Sequence, residues 1–177
     1  FGIAAGWYDA SSYASSGATI FNPDTFLQVR NQTSSSTELV IAGTVPSAGV
    51  SLPIVSSASA QQDNLVYNPY PSSVTLATSN LSGSGAVVGS SDPFNPTDIV
   101  LVFNSSSSGY NPASSKSYFY YPDGDPGGFG IAAGWYDAST YANADSVVIE
   151  KGAPIIIRKG ASSNQEVSWT SDLPYSL

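Results

Sequence analysis

The tetrapeptide Gly-Trp-Tyr-Asp occurs twice, at residues 6–9 and 134–137. An indole and a phenol beside a carboxylate can stack on a sugar ring and accept bonds from its hydroxyls. Trp7, Tyr8, Asp9, Trp135, Tyr136 and Asp137 are therefore candidate glycan contacts. The same residues also anchor cores and subunit contacts, because Trp and Tyr bury a large apolar surface and carry one polar handle. Duplication of a packing motif explains both copies without a ligand, and anchoring of the repeat, in the core or at a subunit contact, is the favoured expectation for these six residues. A second candidate is the turn YPDGDPGG (121–128), where Asp123 and Asp125 could offer carboxylates, with loop carbonyls, to Ca2+. It lacks the further acidic ligands of a calcium loop, so an acidic turn between strands is the simpler expectation. No other cofactor is expected.

The chain contains no His and no Cys. This excludes a Ser–His nucleophile and any imidazole or thiolate metal site. Carboxylate catalysis is left open by thirteen acids, yet apart from Asp123 and Asp125 they show no close pair in an apolar frame. The chain reads as a non-enzyme. Lys116, Lys151 and Lys159 could join Asn or Asp side chains covalently, but nothing in their spacing singles one out. Sequons place candidate glycosylation at Asn31, Asn80 and Asn104, with Ser runs at 34–36 and 105–108.

Charge is sparse. Five basic residues face thirteen acidic ones, for a net charge of −8, and only 10% of residues are charged. No basic patch can meet phosphates, which argues against nucleic acid and anionic lipid as partners. The longest apolar runs fall short of a membrane span, so membrane insertion is not expected. Apolar content of 41% and aromatic content of 12% are too high for a disordered Ser-rich chain. Solubility falls to Ser, Thr, Asn and Gly, a composition that suggests a secreted, extracellular or cell-surface protein. The chain has no Met and starts at Phe1, which suggests processing or a longer precursor.

The motif belongs to a longer repeat. FGIAAGWYDASSYA (1–14) and FGIAAGWYDASTYA (129–142) differ only at Ser12 and Thr140, and the match runs without gaps to the chain end. Over 49 aligned positions there are 18 identities, among them Arg30 with Arg158, Glu38 with Glu166 and Pro46 with Pro174. Ile20, Phe21, Leu27 and Val29 align with Val148, Ile149, Ile155 and Ile157, so the apolar pattern outlasts identity. The expected layout is repeat copy A (1–49), and a complete β unit (50–177) that includes copy B (129–177). Copy A has no unique stretch before it. It is the end of an upstream unit, or half of a pseudo-symmetric sandwich, or a segment that completes a neighbouring subunit by strand exchange.

The positioning elements read as strands. Short β-branched or aromatic runs recur at 26–30, 37–45, 50–55, 64–68, 73–78, 85–89, 98–103, 117–121, 146–150, 154–159 and 166–170, separated by Pro, Gly, Asn and Asp turns. No long segment carries helical apolar spacing; the best candidate for one helical turn is 136–145. The pattern predicts an all-β sandwich or barrel-like fold. A hairpin is expected to pair Arg30 with Glu38 and Arg158 with Glu166.

The runs NPYPSSVTLATSNL (68–81), DPFNPTDIVLVFN (92–104), GYNPASSKSYFYY (109–121), GWYD (134–137), ADSVVIEKGAPIIIRK (144–159) and VSWT (167–170) resemble a family of uncharacterised secreted β-rich proteins of Verrucomicrobia-type bacteria. That resemblance covers 50–177 and implies export and an all-β fold, with no reaction. The functional expectation is a structural subunit of an extracellular filament, sheath or surface layer. It would be a self-assembling homopolymer joined head to tail. The alternative is a carbohydrate-binding or adhesive module recognising surface glycans.

Overall fold

The computed structural model describes residues 4–20, 29, 35, 47–103, 113–162 and 165–175. Contacts divide the chain into two units, Phe1–Thr33 and Ser34–Leu177. Among the described residues the fold is all-β without a helix, and all nine strands lie in the second unit. They are β1 (Val50–Val55), β2 (Gln62–Tyr67), β3 (Val74–Thr75), β4 (Ile99–Val102), β5 (Lys116–Tyr121), β6 (Gly134–Asp137), β7 (Val148–Ile149), β8 (Pro154–Lys159) and β9 (Glu166–Ser171). A five-stranded antiparallel sheet runs β2-β8-β4-β5-β6, and two two-stranded sheets pair β1 with β9 and β3 with β7. The main sheet is open, with edges at β2 and β6, so the architecture is that of a β-sandwich and not a closed barrel.

Period-2 alternation explains which face turns inward. Leu52 and Ile54 of β1 and Trp169 of β9 join Val66, Val100, Tyr118, Trp135, Ile155 and Ile157 of the main sheet in one core. Burying such side chains contributes about 1.5–3 kcal/mol each before entropy is counted. Pro53 sits inside β1 with its side exposed, opposite Ser168 of β9. Its missing donor is tolerated because β1 has a strand on one side only. Buried side chains also stitch the sheets. Asn64 of β2 accepts from the Val55 amide and donates to the Val55 carbonyl, and the Trp169 indole donates to Ser79 O at 2.8 Å.

Strands β1 and β8 have the bounds expected from sequence. The 73–78 run forms only the two-residue β3, and 85–89 forms no strand. The Val87 amide bonds to Leu81 O within a turn while Ala86 and Val87 are buried, so burial there is met without a ladder. Residues 138–140 form a turn between β6 and the Tyr136–Asn143 bridge, not a helical turn. The runs 26–30 and 37–45, and with them Arg30 and Glu38, lie outside the described residues, Val29 excepted. The Arg158–Glu166 pairing is corrected: β8 and β9 belong to different sheets, and Arg158 instead forks onto Asp63 of β2, directly opposite it, at 2.7 and 2.8 Å.

Candidate functional site

The repeated motif folds the same way in both copies. In copy B, the Asp137 amide donates to Ala142 O, Tyr141 N to Asp137 O, and Ala144 N to Trp135 O. In copy A the same three bonds join Asp9 N to Ala14 O, Tyr13 N to Asp9 O, and Ser16 N to Trp7 O. One carboxylate oxygen holds each turn: Asp137 Oδ1 accepts from Ser139 N, Ser139 Oγ and Thr140 N, and Asp9 Oδ1 accepts from Ser11 N, Ser11 Oγ and Ser12 N. The Tyr136 and Tyr8 hydroxyls donate to Ala132 O and Ala4 O, both at 2.9 Å. Tyr141 and Tyr13 share a left-handed φ of 58°. These bonds are local in sequence, so identical residues produce identical hairpins.

Their surroundings differ. Copy B supplies β6, the edge strand on β5, with Trp135 opposite Tyr120 and Tyr136 opposite Phe119. Trp135 is 1% exposed and lies 5.5 Å from the Tyr120 ring, while Tyr136 stacks on Phe119. The Trp135 amide donates to Asp145 Oδ1 at 2.8 Å. Lys116 of β5 pairs with Asp137 at 3.0 Å. Ser139, followed by Lys116, holds the Asp137 carboxyl well below the usual carboxylate range. In copy A, Trp7 is 78% exposed and Asp9 is exposed. Ser11 and Ser12 alone hold the Asp9 carboxyl low, and Gly17 stands where copy B has Asp145.

A buried indole cannot stack on a sugar, so at copy B the Trp-Tyr-Asp trio is a packing device; at copy A the same trio faces solvent. The turn Asp125 uses its carboxylate on the chain itself. It accepts from Tyr121 Oη at 2.5 Å, Phe129 N at 2.9 Å and Gly130 N at 2.7 Å. The Tyr121 bond, then those amides, lower its titration. Asp123 and Asp125 gather no third acid, and no group of three potential metal ligands occurs among the described residues. Asn80 is exposed, but its Nδ2 already donates to Thr170 O at 2.7 Å. Asn31 and Asn104 lie outside the described residues.

Sequence reasoning missed three features. An exposed aromatic cluster sets Phe94 against Phe129 and Tyr141, with ring centroids 5.5 and 5.3 Å apart. An open cleft of about 530 Å³ is lined by Ser73, Thr75, Thr78, Asn80 and Asp172 among others, without an aromatic platform. A buried ion pair joins Lys159 to Asp98. Strand phase was the signal for the last of these, since Lys159 shares the inward phase of Ile155 and Ile157. The aromatic cluster had no signal, because Phe94 lies in a separate loop. No protein family, curated protein or solved structure matches the chain. Among the described residues no helix is long and apolar enough to cross a membrane.

Proposed function

We propose that this chain is a non-enzymatic structural subunit of an extracellular filament, sheath or surface layer, joined head to tail through exchange of its repeated tail hairpin. The observation that carries this reading is the pair of hairpins with the same internal bonds, one seated on β5 with its Trp buried, the other with its Trp exposed. The hairpin of one subunit would take the place of β6 on β5 of the next. Most of the exchanged contacts are made by identical residues, so their free energies nearly cancel, which is the condition under which segment swapping costs little. The incoming copy forgoes the bond that the Trp135 amide donates to Asp145, since Gly17 stands at that position. Such a contact is heterologous and open-ended, and so builds filaments instead of closed rings. The Ser-, Thr-, Asn- and Gly-rich composition supports an exported location.

The test is negative-stain microscopy of native, unheated protein with size-exclusion chromatography beside it. Uniform filaments that are lost in Trp7→Ala support the reading; a discrete monomer at all concentrations overturns it. A second reading, a carbohydrate-binding or adhesive module, is favoured by two exposed aromatic sets, Trp7 with Tyr8 and Phe94 with Phe129 and Tyr141. Under it, polysaccharide retention is lost in Trp7→Ala or Phe94→Ala, while filaments are not formed.

A further inference from the structure

We propose that Lys159 and Asp98 are joined by an intramolecular isopeptide bond. Asp98 precedes β4, and Ile99 of that strand pairs with Arg158 of β8. Continuing the antiparallel register sets Asp98 opposite Lys159. On both strands this is the inward phase, shared with Val100 on one side and Ile157 on the other, each fully buried. The two side chains are themselves only 7% and 4% exposed. A lysine at the inward end of an isoleucine row is costly to desolvate unless it is paired or loses its charge.

The amine and the carboxylate are already in contact. Lys159 Nζ touches Asp98 Oδ2 and donates to Ala86 O at 3.1 Å. Asp98 Oδ1 accepts from Gly160 N at 2.9 Å, and Oδ2 accepts from Val88 N at 2.8 Å. Backbone donors thus fix both carboxyl oxygens, and a backbone carbonyl fixes the amine. Gly160 permits this approach. A Cβ there would lie 2.3 Å from Thr97 Cγ2 and 2.9 Å from Thr97 O.

The chemistry balances without any other reactant. One proton passes from Nζ to Oδ2, turning two buried charges into a neutral amine and a carboxylic acid. The amine lone pair attacks Cγ, and the negative charge that develops on Oδ1 faces the Gly160 N–H, as in an oxyanion hole. A second proton moves from nitrogen to Oδ2. The Nζ–Cγ bond has formed, the Cγ–Oδ2 bond breaks, and Oδ2 leaves as water. Net charge is unchanged, because one cation and one anion disappear together. The product ties β4 to β8 across 61 positions of sequence in a chain without Cys. It restricts the unfolded state as a disulfide across a loop of that length does.

Intact-mass spectrometry of the denatured full chain, followed by protease digestion and peptide sequencing, decides the matter. The expected result is a mass one water below that of the sequence, with a branched peptide joining the Asp98 and Lys159 segments. Lys159→Arg, which keeps the cation, is expected at full mass and with a lower melting temperature. Asp98→Asn is expected to lose ammonia in place of water. Wild type at full mass, with Asp98 and Lys159 in linear peptides, overturns the proposal and leaves an ion pair only. Water loss mapped to the Asp123–Gly124 peptide overturns it equally. Should Lys159→Arg fail to fold, the wild-type peptides alone still give the answer.

Discussion

At the residue scale, the acids divide by what surrounds them. Asp137 is buried, holds its turn and takes a bond from Lys116, which is itself 51% exposed. The ion pair with so exposed a lysine is worth little, whereas the turn bonds to a buried carboxylate matter more. Asp137→Asn is expected to cost about 1–2 kcal/mol at neutral pH, measured by urea unfolding. The Asp137 carboxyl titrates below its ordinary 3.8 in the folded chain. Its contribution is therefore complete above that value and is lost as pH falls through the lower folded value. The gap between wild type and Asp137→Asn should close as unfolding is repeated at successively lower pH. Asp63 is a contrast. Arg158 lowers its titration, yet both side chains are more than a third exposed. Asp63→Ala is expected to cost under about 1 kcal/mol, less at high salt, in the same assay.

At the element scale, the β5–β6 edge decides whether the second unit keeps its core. Trp135 fills a fully buried position between Tyr120 and the rest of the cluster. Trp135→Ala should cost about 3–5 kcal/mol in chemical denaturation, because the cavity cannot collapse within a sheet. Trp7→Ala, at 78% exposure, should leave the unfolding of Ser34–Leu177 unchanged. Gly134 allows β6 to start, with φ of +154° and a Cβ position 3.0 Å from Asp145 Oδ2. Gly134→Ala is expected to lower the melting temperature by pushing Asp145 off the Trp135 amide, and Trp fluorescence should shift red as the indole loosens.

At the scale of the whole molecule, net charge bears on the head-to-tail reading. Two copies of a chain of charge −8 repel one another, and salt screens that repulsion over about 10 Å at 0.1 M. Under the head-to-tail reading, filament length measured by light scattering should rise with added salt at fixed protein concentration. A fall with salt would point to charge pairing as the joint in place of hairpin exchange.

Much of the local structure was legible in the sequence. Turn residues and short β-branched or aromatic runs marked β1, β4, β5, β8 and β9, because such runs and the Pro, Gly, Asn or Asp that bound them are properties of the chain itself. Identity between copies made a shared local structure predictable, since Asp9 and Asp137 bond within three residues of themselves, but that the structure is a hairpin and not a helical turn was not read from the sequence. Other outcomes belong to tertiary structure. β6 went unread as a strand because four residues of Gly-Trp-Tyr-Asp carry too short a pattern, and β5 supplies its ladder. Arg158 met Asp63 and not Glu166 because strand order, which adjacency in sequence does not encode, placed β2 beside β8. Whether a Trp is core or surface was likewise undecidable from identical tetrapeptides: sequence alone determined the shape of both hairpins, and only the long-range contact with β5 decided that Trp135 is buried.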